Sequence, residues 1–300
     1  MSDLSLASPS RLGLWIKAAR PRTLTISIAP ILVGVAHAAT LGRIAWGPVA
    51  AATISALAIQ IATNLANDAA DGERGLDGPR RLGPTRVTGA RLMSAMEVRR
   101  GAIVATLIAI AAGLVAVVHG GLPILSIGVA SVIAAWAYSG GPRPISGTPL
   151  GEIFVVAYFG VAAVVGIEWL AVATASPVTI LLGIAIGLPA AGVLTVNNHR
   201  DRVEDARNGR RTLAILVGAR GAVALYAVEM IAAVALAAMA TPSLLGAAIV
   251  AVGVVPAGVL AVRLARMPVG RELNSRLAAT AGFQLVLAGL IALAWLGGFA

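Results

Sequence analysis

Nine apolar runs occupy most of this chain of 300 residues, each near or within the roughly 17 to 25 residues that a tilted helix needs to cross the hydrocarbon of a bilayer. They cover 23–40, 46–65, 102–118, 122–138, 153–174, 178–196, 222–240, 243–262 and 277–296. Backbone inside lipid has no water to bond to, so only helices and closed barrels can span it. The runs are continuous and do not alternate, which excludes barrel strands. Composition agrees: 12% of the residues are charged, against about 25% in soluble proteins. The expected fold class is therefore all-α, an integral membrane protein of nine transmembrane helices. Frequent glycine and alanine suit helices that approach closely in lipid.

Charge then orients the chain. All but one of the 23 Lys and Arg residues fall on the side that holds the N-terminus, Arg43 being the exception. By the positive-inside rule that side is cytoplasmic, and nine passes put the C-terminus outside. The net charge of +10 is thus accounted for by membrane topology, with no need to invoke nucleic acid as a partner. The expected organisation is a cytoplasmic N-terminal segment, 1–22, carrying a short interfacial helix. A single membrane domain follows over 23–300, with cytoplasmic cap loops at 66–101, 139–152 and 197–221. The chain contains no cysteine, so disulfides, thiolate metal sites and cysteine nucleophiles are excluded. A multi-pass protein of the cell membrane, working at its cytoplasmic face, is the expectation.

Two polar islands interrupt the apolar pattern. Asn64, Asp68 and Asp71 stand at i, i+4 and i+7, and Asn197, Asp201 and Asp205 at i, i+4 and i+8. If the preceding helices continue through them, each set shares one helical face. Clustered carboxylates near lipid need cationic company. Magnesium fits, because it prefers oxygen ligands and commonly joins one or two carboxylates to substrate phosphates. Arg86, Arg200, Arg210 and Arg211 stand near enough in sequence to complete a diphosphate clamp. Glu204 lies off the face and reads as solvated. His37, His119 and His199 have no metal-ligand spacing, and the intramembrane Glu168 and Glu229 have no evident partner. Trp136, Tyr138, Phe154, Tyr158 and Phe159 are candidates for either an apolar slot or an interfacial belt.

The segments RPRTL (20–24), NLANDAADGERGLD (64–77), RLGPTRVT (81–88), YSGGPRP (138–144), GEIF (151–154), NNHRD with RRTLA, and LNSRLAATAGFQLVL (273–287) together resemble the UbiA superfamily of intramembrane prenyltransferases. Within it they resemble the 1,4-dihydroxy-2-naphthoate polyprenyltransferases of menaquinone synthesis. The six-residue step from Asp71 to Asp77 and the doubled Asn197–Asn198 are similar to that branch, and Arg210 stands where the family usually has lysine. The resemblance implies transfer of a polyprenyl group from its diphosphate to the naphthoate, with loss of diphosphate and carbon dioxide. It implies Mg²⁺ held by Asp68, Asp71, Asp201 and Asp205 as the catalytic set. Arg22, Asn64, Asn67, Asp77, Arg86, Tyr138, Arg143, Asn197, Asn198, Arg200 and Arg210 are implied as substrate-binding. Another aromatic acceptor is the nearest alternative, and an ion- or proton-coupled transporter is the alternative of a different class.

Overall fold

The computed structural model describes residues 10–76 and 81–297, and the regular elements among them are all helical. Helix α1, Arg11–Ala19, starts where the Ser10 hydroxyl accepts the Gly13 N–H at 3.1 Å, an N-cap. It stops at Arg20, whose backbone is left-handed at φ 54°, and a 3₁₀ turn, Pro21–Thr23, leads into α2, Thr25–Leu41. The two directions differ by 45°. This is the short helix expected ahead of the first apolar run.

Helix α3, Trp46–Glu73, packs along α4, Ala95–Ser139. At 45 residues α4 is too long for one pass, and its helical geometry breaks at Gly121 (φ 64°, ψ −150°). The apolar runs 102–118 and 122–138 are its two arms. Helix α5, Gly151–Val156, a π-helical turn, Ala157–Ala162, and α6, Ala163–Val172, form one span. Then come α7, Pro177–Arg207, and α8, Leu213–Ala240. Helices α9, Leu244–Ala251, and α10, Val254–Arg266, share a span, and α11, Leu273–Leu296, closes the described chain. Among the described residues seven helices are long and apolar enough to cross a membrane, or eight if the bent pair formed by 11–23 and 25–41 counts as one span.

The polar islands are helix, not loop. Helix α3 runs on to Glu73 and α7 to Arg207, so the cap segments are shorter than expected, at 74–94, 140–150 and 208–212. Both helices stop the same way, with a left-handed glycine just past the last turn, Gly75 (φ 66°) and Gly209 (φ 74°). Hydropathy marks where lipid ends; the backbone keeps its helix until a residue is built to stop it.

Helix α7 is central, packing on α8, α11 and the π-helical turn, while α2 packs on α11 and α6. Leu182, Ile186, Tyr226, Met230, Leu287 and Ile291 fill the core. Two isolated carboxylates find partners there, as intramembrane charge demands. Glu168 receives the Ser176 N–H at 3.0 Å and contacts the Thr179 hydroxyl and His37 Nδ1, tying α6, α7 and α2 together. Glu229 on α8 accepts from the Thr195 hydroxyl of α7 at 3.0 Å.

Candidate active site

The polar ends of α3 and α7 meet at the mouth of a cavity of about 1000 Å³, at the upper end of the ordinary range for ligand pockets, ~300–1,000 Å³. On α3, the helical spacing does put Asn64, Asp68 and Asp71 on one face, but each faces a different neighbour. The Asn64 amide donates to the Ala19 carbonyl at 2.9 Å and the Thr23 hydroxyl at 3.2 Å, which fastens the bend between α1 and α2. The buried Asp68 carboxylate accepts the N–H groups of Val87 (3.2 Å) and Thr88 (3.1 Å) and the Thr88 hydroxyl. It therefore holds the segment between α3 and α4 against the site. Asp71, also buried, takes Arg210 Nη2 on Oδ1 and Arg86 Nη2 on Oδ2, each at 3.0 Å.

On α7 the partners are side chains. The buried Arg200 guanidinium donates to both oxygens of Asp201 (2.8 and 2.6 Å), to Asn197 Oδ1 (2.7 Å) and to Asn274 Oδ1 on α11 (2.6 Å). Asn274 in turn donates to the Leu82 carbonyl at 3.0 Å. Asp205 accepts from Arg210 Nη1 at 3.1 Å. One guanidinium thus bridges Asp71 of α3 and Asp205 of α7, a geometry that a planar fork with separate donors permits.

The cavity runs from this polar end into apolar depth. Arg22, Asn64, Asn67, Asp68, Arg86, Tyr138 and Asn197 line it, as do Phe154, Tyr158 and Phe159. Four of the five clustered aromatics therefore form a slot; Trp136 instead donates to the Thr106 hydroxyl at 3.2 Å. Of the residues expected to bind substrate, Arg143, Asn198, Arg200 and Arg210 do not line the cavity, nor do Asp71, Asp201 and Asp205 of the expected metal set. Arg143 is exposed in the turn after α4 and does not line the cavity. Asn198 faces the other way from Asn197 and donates to Glu152 Oε1 at 2.9 Å. Arg200 is engaged with the side chains of Asp201, Asn274 and Asn197 and ties α7 to α11. Asp77 lies outside the described residues.

Sequence reasoning misses Arg20, Asn274 and Glu152. Arg20 lines the cavity in a strained left-handed backbone. Desolvation, followed by the charges of Arg86 and Arg81, lowers its pKa to about 9. All three stand inside segments that carry the family resemblance, but nothing in spacing distinguishes them from their neighbours.

Among the described residues no three His, Asp or Glu side chains stand close enough to share a metal ion. The four aspartates do not form one cluster, because Asp68 is turned into the Val87–Thr88 backbone, Asp201 is held by Arg200, and Arg210 lies between the other two. Asp71 and Asp205 nevertheless point hard oxygen donors from two helices at one cationic group. That donor set fits Mg²⁺, which takes few protein carboxylates and completes its shell with water and phosphate oxygens.

Comparison with known proteins gives a consistent picture. The profile of the UbiA prenyltransferase family matches residues 27–288. The 1,4-dihydroxy-2-naphthoate octaprenyltransferase of Escherichia coli (strain K12) is 37% identical over 226 residues, covering 73% of this chain and 73% of that protein. Its counterpart by the same description in Mycobacterium tuberculosis (strain ATCC 25618 / H37Rv) is 35% identical over 212 residues, covering 71% of this chain and 72% of that protein. Among solved structures, a UbiA homolog from Archaeoglobus fulgidus bound to GPP and Mg²⁺ is similar with a TM-score of 0.67 at 13% identity, covering 93% of this chain and 99% of that chain. At that identity the likeness is one of fold.

Proposed function

The chain belongs to the UbiA prenyltransferase family, and from that premise we propose that it transfers a polyprenyl group from polyprenyl diphosphate to 1,4-dihydroxy-2-naphthoate, releasing diphosphate and carbon dioxide. The allylic C–O bond breaks with its electron pair leaving on the diphosphate. The ring carbon that bears the carboxylate forms the new C–C bond, and loss of CO₂ returns an electron pair to the ring and restores aromaticity.

One observation carries this reading: Asp71 and Asp205 meet across Arg210, and Asp71 also pairs with Arg86, which with Asn64, Asn67, Asp68 and Asn197 lines the polar end of a deep apolar cavity. The polar end suits a diphosphate and the apolar depth suits its tail. Asp71 and Asp205 are the side chains to hold Mg²⁺, with Asp68 and Asp201 one helical turn behind them. When bound, Mg²⁺ supplies charge neutralisation to the departing diphosphate. Arg86 and Arg210 offer charge-assisted hydrogen bonds to the phosphate oxygens, and Arg20 and Arg22 add positive potential along the cavity wall. Asn64, Asn67 and Asn197 orient ligands by hydrogen bonding, with Asp77 of the same stretch among the binding residues. Tyr138, Phe154 and Tyr158 line the cavity, where aromatic rings stabilise a developing allylic cation. Aromatic walls also exclude water, which would otherwise capture that cation.

Nine passes with a cytoplasmic N-terminus and an external C-terminus complete the proposal. They follow when α2 is added to the seven helices and the arms of α4 are counted separately about Gly121. This sets the polar end at the cytoplasmic face of the cell membrane, where the charged substrates arrive.

The test is an assay of the purified protein in lipid nanodiscs with polyprenyl diphosphate and the naphthoate, with and without a chelator. Prenylated product lacking the carboxyl group, formed only with Mg²⁺ present, is the expected result. A product that retains the carboxyl group, or turnover that survives chelation, overturns the proposal.

A further inference from the structure

Two packed segments of the bundle line the large cavity and are joined off its surface. On α5 and the π-helical turn, Phe154, Tyr158 and Phe159 line it, and on α7 Leu194 and Asn197 do. In mid-span the two backbones lie in direct contact. A Cβ added at Gly160 would stand 2.3 Å from the Gly183 carbonyl oxygen and 2.9 Å from Gly187 Cα, and one at Gly187 would stand 3.0 Å from Val156 Cα. Such a seat is held by dispersion, which is close but has no direction. At the start of α5 the join is directional: the Asn198 amide donates to Glu152 Oε1 at 2.9 Å, and both residues are buried. Neither of them lines the cavity. Among the described residues, Asn198 is the only side chain to which Glu152 is hydrogen-bonded. One turn back on the same face of α7, Thr195 donates to Glu229 of α8 at 3.0 Å, which holds α7 from behind.

We propose that Glu152 is a positioning residue for prenyl transfer: through Asn198 it fixes the aromatic segment of α5 and the π-helical turn against α7, and so keeps water from the allylic cation. The inference rests on the prenyl-transfer reading above and adds to it the residue that holds the aromatic wall. The glycine seat alone leaves this segment free to rock, because backbone contact sets separation and not rotation. A hydrogen bond is directional, and this one removes that freedom two residues before Phe154 and one residue after Asn197. Misplacing a reacting centre by about 1 Å costs about 10²-fold, and a loosened wall also opens the cation to a competing nucleophile. Water then adds through its oxygen to the allylic carbon and loses a proton to the surrounding water. The product is the free polyprenol, with diphosphate released as before and the naphthoate unused.

The experiment supplies polyprenyl diphosphate, the naphthoate and Mg²⁺ to the full chain in lipid nanodiscs made up in heavy-oxygen water, and reads prenylated product and labelled polyprenol by mass. Label in the polyprenol marks capture at carbon and separates it from cleavage at phosphorus. Glu152→Ala is expected to lower kcat and to raise the ratio of labelled polyprenol to prenylated product, each by about tenfold, well under the ~10²-fold cost of a misplaced reacting centre. The KM for the diphosphate should not change. Glu152→Gln keeps an acceptor oxygen for Asn198 and is expected to bring both quantities back close to the parent chain. Asn198→Ala breaks the same bond from the other side, so it should match Glu152→Ala, and the double variant should add little. Thermal unfolding in detergent identifies folded variants, and Asn198→Ala decides alone if Glu152→Ala does not fold. An unchanged product ratio in folded variants overturns the proposal. So does a Glu152→Gln variant as impaired as Glu152→Ala, which would put the charge and not the bond at work. If neither alanine variant folds, the bond serves folding and the proposal falls. A parent chain that prenylates no naphthoate is a failure of the functional proposal, a separate outcome in the same assay.

Discussion

The two acidic stretches share a spacing of one Asn and two Asp in sequence and differ in what they hold. On α3, Asn64 and Asp68 bind backbone groups of neighbouring segments: Ala19 before α2, and Val87 and Thr88 before α4. On α7, Asn197 and Asp201 bind a single side chain, Arg200, which carries the connection onward to α11. Only the last acid of each, Asp71 and Asp205, meets its counterpart through Arg210. A repeated motif therefore fixes spacing and leaves assignment to the surroundings. The first stretch holds the segment before α4 and the second braces the bundle through Arg200, with the shared ion pair to Arg210 at their ends.

The strongest challenge to this contrast is substitution of the terminal acids. Asp71→Asn and Asp205→Asn are each expected to lower turnover by about 10²- to 10³-fold, the scale for removing one group that stabilises transition-state charge. Because they act on one cation, the double variant should lose little more than either single one. Losses that multiply in steady-state assays would mean two independent sites. Next, Asp201→Asn strips the buried Arg200 of its carboxylate and should lower stability by about 3 kcal/mol. Asp68→Asn sets an amide against backbone donors and should lower it by about 2 kcal/mol. Thermal unfolding in detergent compares them, and the reverse order would break the distinction between brace and cap. Arg210→Lys keeps the charge but not the fork; one lost charged hydrogen bond, about 1.5 kcal/mol, predicts roughly tenfold lower kcat/KM. Smallest, Thr88→Val removes one hydroxyl contact to Asp68, worth about 1 kcal/mol of stability with turnover close to the parent chain. A large loss of turnover there would move Asp68 from the cap into the chemistry.

Much of the scaffold is legible in the sequence because lipid imposes it. The apolar runs locate the long helices, seven or eight of which among the described residues could cross a membrane, and the i, i+4 spacing falls on helix in both acidic sets. What stays hidden depends on neighbours distant in sequence. Arg200 lies beside Asp201 and looks like a free clamp until Asn274, 74 residues away, is seen to share it. Asn197 and Asn198 are adjacent letters, yet consecutive helical positions point about 100° apart, so one meets the cavity and the other Glu152. Arg22 stands out in RPRTL, while its neighbour Arg20, bent into the cavity by a left-handed backbone, does not. The expected cap loops are too long because hydrophobicity reports the depth of lipid and carries no signal for where a helix stops.

The π-helical turn at Ala157–Ala162 sets the register of the span after it. A π-bulge accommodates one residue more than the regular helix would, so the surplus is taken up within one wide turn and the face downstream keeps its bearing. Straightening this turn into ordinary α-helix at constant length would rotate everything downstream by about 100°, the advance of one helical residue. Gly166, Glu168 and Leu170 would swing together, carrying the Glu168 contacts away from His37. Deleting one residue here lets the ladder close as α-helix and leaves those side chains in place, so the turn is where the span tolerates a change of length.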